Sequence, residues 1–93
     1  METFEWDQTN VAHIAAHGVS AAEAEQALTI APLDVDSYVV DAEIRFEALG
    51  ETGSGRILKV LYVLPGELRI RVITAYDAAA LGKQIYLRSR ISL

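Results

Sequence analysis

Charged residues recur at strand spacing in the second half of the chain. Arg45 and Glu47 are two apart, as are Arg69 and Arg71, and Lys59 interrupts an apolar run. Side chains two apart on a strand share a face. If the strands keep that phase, Arg45, Lys59, Arg69 and Arg71 form one cationic surface with Glu47 among them. Such a surface suits RNA. The cations would hold phosphates and offset the charge that builds on a phosphorane-like transition state. Glu47 would be the general base that accepts a ribose 2′-hydroxyl proton. Arg56, in the loop before a strand, would join from the rim. The plainer reading is a solvated sheet face carrying ion pairs of the Arg45–Glu47 kind, each worth little.

Other chemistries lack their residues. No nucleophile elbow, phosphate loop, dinucleotide fingerprint or zinc spacing occurs, so neither metal nor cofactor is expected. His13 and His17 stand four apart, without the further ligands a metal would want. The segment 8–28 resembles a helix-turn-helix in outline. Its second helix carries Glu23 and Glu25 and no cation, whereas a DNA-reading helix needs Arg or Lys for phosphates.

The elements that must position these residues are legible from pattern. Asp7 can cap a helix from Gln8 to His17, with Val11, Ile14 and Ala15 on one face. Gly18 stands where a left-handed residue closes a helix. Ser20 and Glu23 form a capping box, and Val19 can staple onto Ala24. That second helix runs to about Leu28, before Pro32. The period then becomes two: strands at Leu33–Val40, Ile44–Leu49, Ile57–Leu64 and Leu68–Ala75. A Gly-rich loop spans Gly50–Gly55, and Pro65-Gly66 marks a hairpin turn. Asp77 can cap a last helix, Ala78 to Arg88, with Ala78, Leu81 and Ile85 as its apolar stripe. The expected fold is α+β: two N-terminal helices, an antiparallel meander of about four strands and a C-terminal helix. The helices would cover one face of the sheet and leave the cationic face open.

The length of 93 residues fits one domain, 1–93. There is no cysteine, which removes thiol chemistry and suits a reducing cytoplasm. No segment reads as a secretory signal or reaches the roughly 20 apolar residues of a membrane helix. The net charge of −5 opposes nucleic-acid binding, but the distribution is uneven. Residues 1–43 hold nine acids and no Lys or Arg, and residues 44–93 hold all eight cations and four acids. Either the basic half faces a polar partner or the two halves neutralise each other across the fold.

In order along nearly the whole chain, several short stretches resemble the BrnT family, RelE-like ribonuclease toxins of bacterial toxin–antitoxin pairs. They are Phe4-Glu5-Trp6-Asp7, Asn10 through Ser20 with the acidic helix after it, Arg45 and Leu49-Gly50-Glu51-Thr52, Gly55-Arg56-Ile57-Leu58, and Ile70-Arg71-Val72-Ile73-Thr74-Ala75. Tyr86 fits the tyrosine near the end of the family's last helix. The resemblance implies a compact α+β domain that cleaves RNA and stops translation. It implies as partner a small DNA-binding antitoxin, BrnA-like, that covers the site. Arg45, Arg56, Arg71 and Tyr86 lie at positions matching the family's motif. Arg56 and Arg71 would stabilise phosphate charge, and Tyr86 would position substrate or donate a proton, given a pKa lowered by nearby cations. Lys59, Arg69 and Glu47 come from strand phase alone.

One region departs from that pattern. Tyr76 stands where the family has an arginine and Gly82 where a glutamate is expected, and most of the positive charge of that helix is gone. Two functions follow. One is a toxin-like endoribonuclease that needs no bound metal, with Arg56, Arg71, Glu47 and Tyr86 as catalytic residues and Arg45, Lys59 and Arg69 binding RNA. The other is a non-catalytic interaction protein of the same fold, binding a partner or itself as a homodimer. Its tail from Leu87 to Leu93, apolar and basic together, suits pairing with another chain.

Overall fold

A computed structural model describes residues 3–91, so Leu93 of the tail lies outside the described residues. The elements in chain order are β1 (Thr3–Phe4), α1 (Gln8–Ala15), α2 (Ala21–Thr29), β2 (Leu33–Val40), β3 (Glu43–Glu51), β4 (Ile57–Gly66), β5 (Arg69–Asp77) and α3 (Ala80–Ile91). The fold is α+β, with three helices and a five-stranded sheet in the order β1-β5-β4-β3-β2. Strands β2 to β5 form the expected antiparallel meander. The two residues of β1 add a parallel edge to β5, held by Thr3 N–H to Leu68 O and Glu5 N–H to Ile70 O.

Local chemistry starts both N-terminal helices where the sequence suggests. The Asp7 carboxylate accepts from the Thr9 and Asn10 N–H groups, and the Asn10 side chain returns a bond to the Asp7 N–H. Ser20 and Glu23 close a second capping box. Gly18, at φ +73°, turns the chain between them. Asn10 is buried and its amide donates to the Glu5 and Val72 carbonyls, tying α1 to β5.

Strand alternation then distributes the core. Leu58 and Val60 of β4, with Val72 and Ala75 of β5, pack against Ile14, Val19, Ala24 and Ala27 of the helical layer. Val72 and Ala75 reach the same core although three apart. The β4–β5 register shifts by one residue between them, so a bulge re-phases the strand. Gly50 lets α2 approach: a Cβ there would lie 1.9 Å from the Ala27 carbonyl oxygen.

The last helix corrects the sequence reading. It does not join α1 and α2. Leu49, adjacent to Gly50 and therefore on the opposite face, packs with Ala78 and Tyr86, flanked by Leu33 and Ile57. So α3 crosses the face that carries Arg45, Glu47 and Lys59, at its far end. Nor does Asp77 cap it. The helix begins three residues later, and Asp77 ends β5 with its carboxylate on Arg56.

Two hairpin turns hold non-glycine residues at positive φ. Asp41 (+50°) and Ala42 (+63°) form the two-residue loop between Val40 and Glu43, as a type I′ turn requires. Leu68 (+58°) follows Glu67 in the β4–β5 turn, a conformation that costs an L-residue roughly 1–2 kcal/mol.

Gly50→Ala is expected to lower stability by about 3 kcal/mol, because strand and helix backbones must separate. Urea denaturation measures it. A loss under about 1 kcal/mol would mean that α2 yields more easily than close packing allows.

Candidate functional site

The charged face is built by the unbroken β3–β4 register. Arg45 pairs across β4 with Val63, and Val63 with Arg71 of β5, while Tyr38 of β2 pairs with Arg45. One row therefore carries Tyr38, Arg45, Val63 and Arg71. Glu47 lies two residues along β3, and Lys59 lies diagonally from it on β4. At a strand spacing of about 4.8 Å, Arg45 and Arg71 stand roughly 10 Å apart, within reach of successive phosphates.

Beside this row runs a cleft of about 500 Å³ between the sheet and α3. Val35, Leu49, Leu81 and Ile85 make its apolar wall, Gly82 opens its side, and Asp36, Glu47, Lys59 and Tyr76 form its polar end. Glu47 is the hub of that end. Its Oε1 lies 3.0 Å from the Lys59 Nζ, and it also accepts from the Tyr38 hydroxyl. The bond to Glu47 raises the Lys59 pKa, so the ammonium is held firmly charged. Desolvation, then Glu47, raises that of Tyr38. Tyr38 and Asp36 were not among the residues singled out from the sequence, and Tyr76 was noted only as a departure from the family pattern. Tyr38 and Asp36 had a signal, since both share strand phase across β2 with Arg45 and Glu47.

The remaining sequence candidates divide. Arg71 is on this face, its Nη1 3.0 Å from the Asp7 carboxylate. That bond holds Asp7 below the usual carboxylate range. Arg45 is half-buried and has no ion pair among the described residues. Its Nε is shielded from solvent without a hydrogen-bond partner. Arg69 does not join them: it pairs with Glu5 and lines a groove on the helix-covered side.

Arg56 is elsewhere again. Its Nη1 donates to the Gly18 carbonyl at 2.8 Å and to Glu23 at 3.0 Å, and its Nε and Nη2 grip both oxygens of Asp77. This guanidinium joins the α1–α2 turn, α2 and β5, and Asp77 chiefly raises its pKa above the ordinary arginine value.

Tyr86 is 1% exposed and donates to the Ala31 carbonyl at 2.9 Å and to Glu51 at 3.1 Å. The expectation of a lowered phenol pKa is reversed: burial first, then Glu51, raises it. Its place is that of an anchor for α3, which sets the cleft wall. Glu51 also holds Arg90.

His13 and His17 meet edge to face at 5.7 Å, with Tyr76 against His17 at 5.8 Å. Among the described residues no three His, Asp or Glu side chains group as metal ligands. No described helix is long and apolar enough to cross a membrane.

The question of the two charged halves is settled in part by these contacts. Glu5–Arg69, Asp7–Arg71 and Glu23–Arg56 bridge them.

Residues 6–80 match the sequence model of a family described as ribonuclease toxin, BrnT, of type II toxin–antitoxin systems. The match ends at the first residue of α3. No curated protein matches the chain.

Two variants test the anchoring roles. Ser20 N–H and then Arg56 hold Glu23 below its ordinary 4.5, and Arg56 holds Asp77 below 3.8. Both carboxylates thus bind fewer protons folded than unfolded. Their contribution is full above about pH 4.5 and is lost as pH falls through the lowered values. Arg56→Gln should cost about 1 kcal/mol at neutral pH, discounted for solvent screening. The deficit against wild type should narrow in urea titrations taken progressively below pH 4.5. A constant deficit would remove the ion pairs as its cause. Tyr86→Phe should cost about 1 kcal/mol of stability and leave any catalytic pH profile unmoved. A lost alkaline limb in that profile would instead make Tyr86 a proton donor.

Proposed function

The chain belongs to the BrnT family of ribonuclease toxins of type II toxin–antitoxin systems, and from that premise we propose that it cleaves RNA across the α3-flanked face of its sheet. The observation that carries this reading is the strand register that puts Arg45, Arg71, Lys59 and Glu47 on one face, with Glu47 and Lys59 lining the cleft. Cleavage is by the RNA's own 2′-hydroxyl. Glu47 takes the proton as the 2′-oxygen bonds to phosphorus, and the 5′-oxygen leaves, taking a proton from water. Arg45 and Arg71 bind the flanking phosphates, and Lys59 offsets charge on the phosphorane.

The ion pairs are part of this mechanism. A phosphate that takes Lys59 from Glu47 exchanges one anion for another and frees a carboxylate oxygen to act as base. Arg71 can make the same exchange, because Asp7 is more than half exposed. Arg45 is already unpaired among the described residues. Arg56 and Tyr86 serve as positioning residues, one clamping the helical layer and one holding α3. Arg69 binds RNA only beyond the cleft, at the sheet margin. The protein partner is an antitoxin, proposed here as a small DNA-binding protein of the BrnA kind that covers the face. The setting is the cytoplasm, and the consequence of cleavage is arrested translation.

A second reading has its own observation. Four of the seven sequence-selected residues are cations already held by carboxylates, as suits an interaction protein of toxin fold without catalysis. Expression without a partner separates the two. The nuclease predicts growth arrest, lost in Arg71→Ala, and cleavage of single-stranded RNA by the purified chain. Glu47→Gln should slow that cleavage about 100-fold or more with the fold intact by circular dichroism. Normal growth at high folded yield, with RNA left whole, establishes the non-catalytic reading.

A further inference from the structure

The helix-covered face of the sheet is only half covered. Helices α1 and α2 lie over β5 and over one end of β3 and β4. At the hairpin end no helix follows. There Leu28, Tyr62, Leu64 and Ile70 line a groove of about 470 Å³ whose polar margin holds Asp34, Glu67 and the Glu5-paired Arg69. A second hollow of about 420 Å³ continues it past Leu64 to Phe46 and Ile44. Phe46 and Tyr62 stack as its floor at 5.4 Å. Ile44, Leu64 and Leu68 are all more than half exposed. A contiguous apolar surface of this kind marks an interaction site.

Leu68 adds an independent sign. It holds a left-handed backbone that glycine would adopt freely, while its side chain is 61% exposed. A strained residue with an exposed apolar side chain gains little from its own fold, and such strain is characteristic of binding surfaces.

The rest of the chain supplies the matching shape and charge. On α3, Leu87 and Ile91 are each more than half exposed. They lie on the side turned away from Tyr86, with Arg88 among them and Lys83 on the flank. Some of the charges without an ion pair sit at the two surfaces, while Arg45 on β3 and Asp36 in the cleft lie outside them. Asp41, Glu43 and Glu67 have no ion pair among the described residues and rim the groove and its hairpins. Lys83 and Arg88 have none and belong to α3.

We propose that the exposed face of α3 in one copy docks in the hairpin-end groove of a second copy, apolar side chains against Leu64 and Leu68 and cations against the acidic rim. The contact is head-to-tail. Each copy keeps a free groove at one end and a free helix at the other, so assembly continues into rings or short chains. Groove and cleft lie on opposite faces, so the inference is independent of RNA cleavage.

The test is light scattering on the full chain from about 10 μM to about 500 μM. Mass should rise with concentration, and the rise should weaken in high salt as screening removes the charge component. Leu64→Asp and Leu87→Asp, both at exposed positions, should each stay monomeric with unchanged melting. Mixed in equal amounts they should form dimers and nothing larger, because one intact groove then meets one intact helix. Leu68→Gly relieves the backbone strain, so it should melt no lower than wild type. It should also weaken association about fivefold or more. A wild-type chain monomeric throughout the range, or a mixture that stays monomeric, overturns the proposal. So does a monomeric chain whose groove variants lose only binding to an antitoxin, which would make the occupant another protein's helix.

Discussion

Charge neutralisation across the sheet is the constraint from which the rest of the architecture follows. The first 43 residues carry only acids, so their carboxylates must find cations from the second half or remain in water. Arg56 shows the result most fully. Its five donors suit a planar fork, and three segments supply acceptors: the Gly18 carbonyl, Glu23 and Asp77. The contact closes the α1–α2 turn onto the sheet and fixes how the helical layer lies. Glu5 and Asp7 do the same for the N-terminal segment against β5.

This neutralisation shapes the candidate site as much as it holds the fold. Lys59 and Glu47 are preassembled as a pair, with Tyr38 on the same carboxylate. An incoming phosphate therefore competes with a carboxylate rather than with water alone. Such a site binds anions less tightly than a bare cationic hollow, but any exchange exposes a base beside the bound phosphate. Arg45 has no ion pair among the described residues, and its Nε is buried without a partner.

The two faces of the sheet divide the remaining work. One is closed at its far end by α3, where Leu49 packs with Ala78 and Tyr86 and the cleft opens beside them. The other is closed by α1 and α2 only as far as Ala27 and Leu28, and its hairpin end stays apolar and open. Asp41, Glu43 and Glu67, without an ion pair among the described residues, stand near that open end, and Lys83 and Arg88 stand on α3.

Much of this was legible in the residues themselves. The Asp7 cap, the Ser20–Glu23 capping box, the Gly18 turn, the four meander strands and the shared face of Arg45, Glu47 and Lys59 follow from local rules, because cap chemistry and period-two alternation act over a few residues. Even the placement of α3 had a trace. Leu49 and Ile57 are apolar on the charged phase of their strands, and something had to cover them. The parallel β1 pairing, the β5 bulge, the burial of Tyr86 and the three partners of Arg56 left no such trace. Each depends on groups tens of residues apart meeting in space, and a one-residue shift in register changes which groups those are. Sequence by itself determined which residues could carry charge and which elements would hold them. Tertiary structure decided which charges were already satisfied, because only the packed chain brings a carboxylate within about 3 Å of its cation.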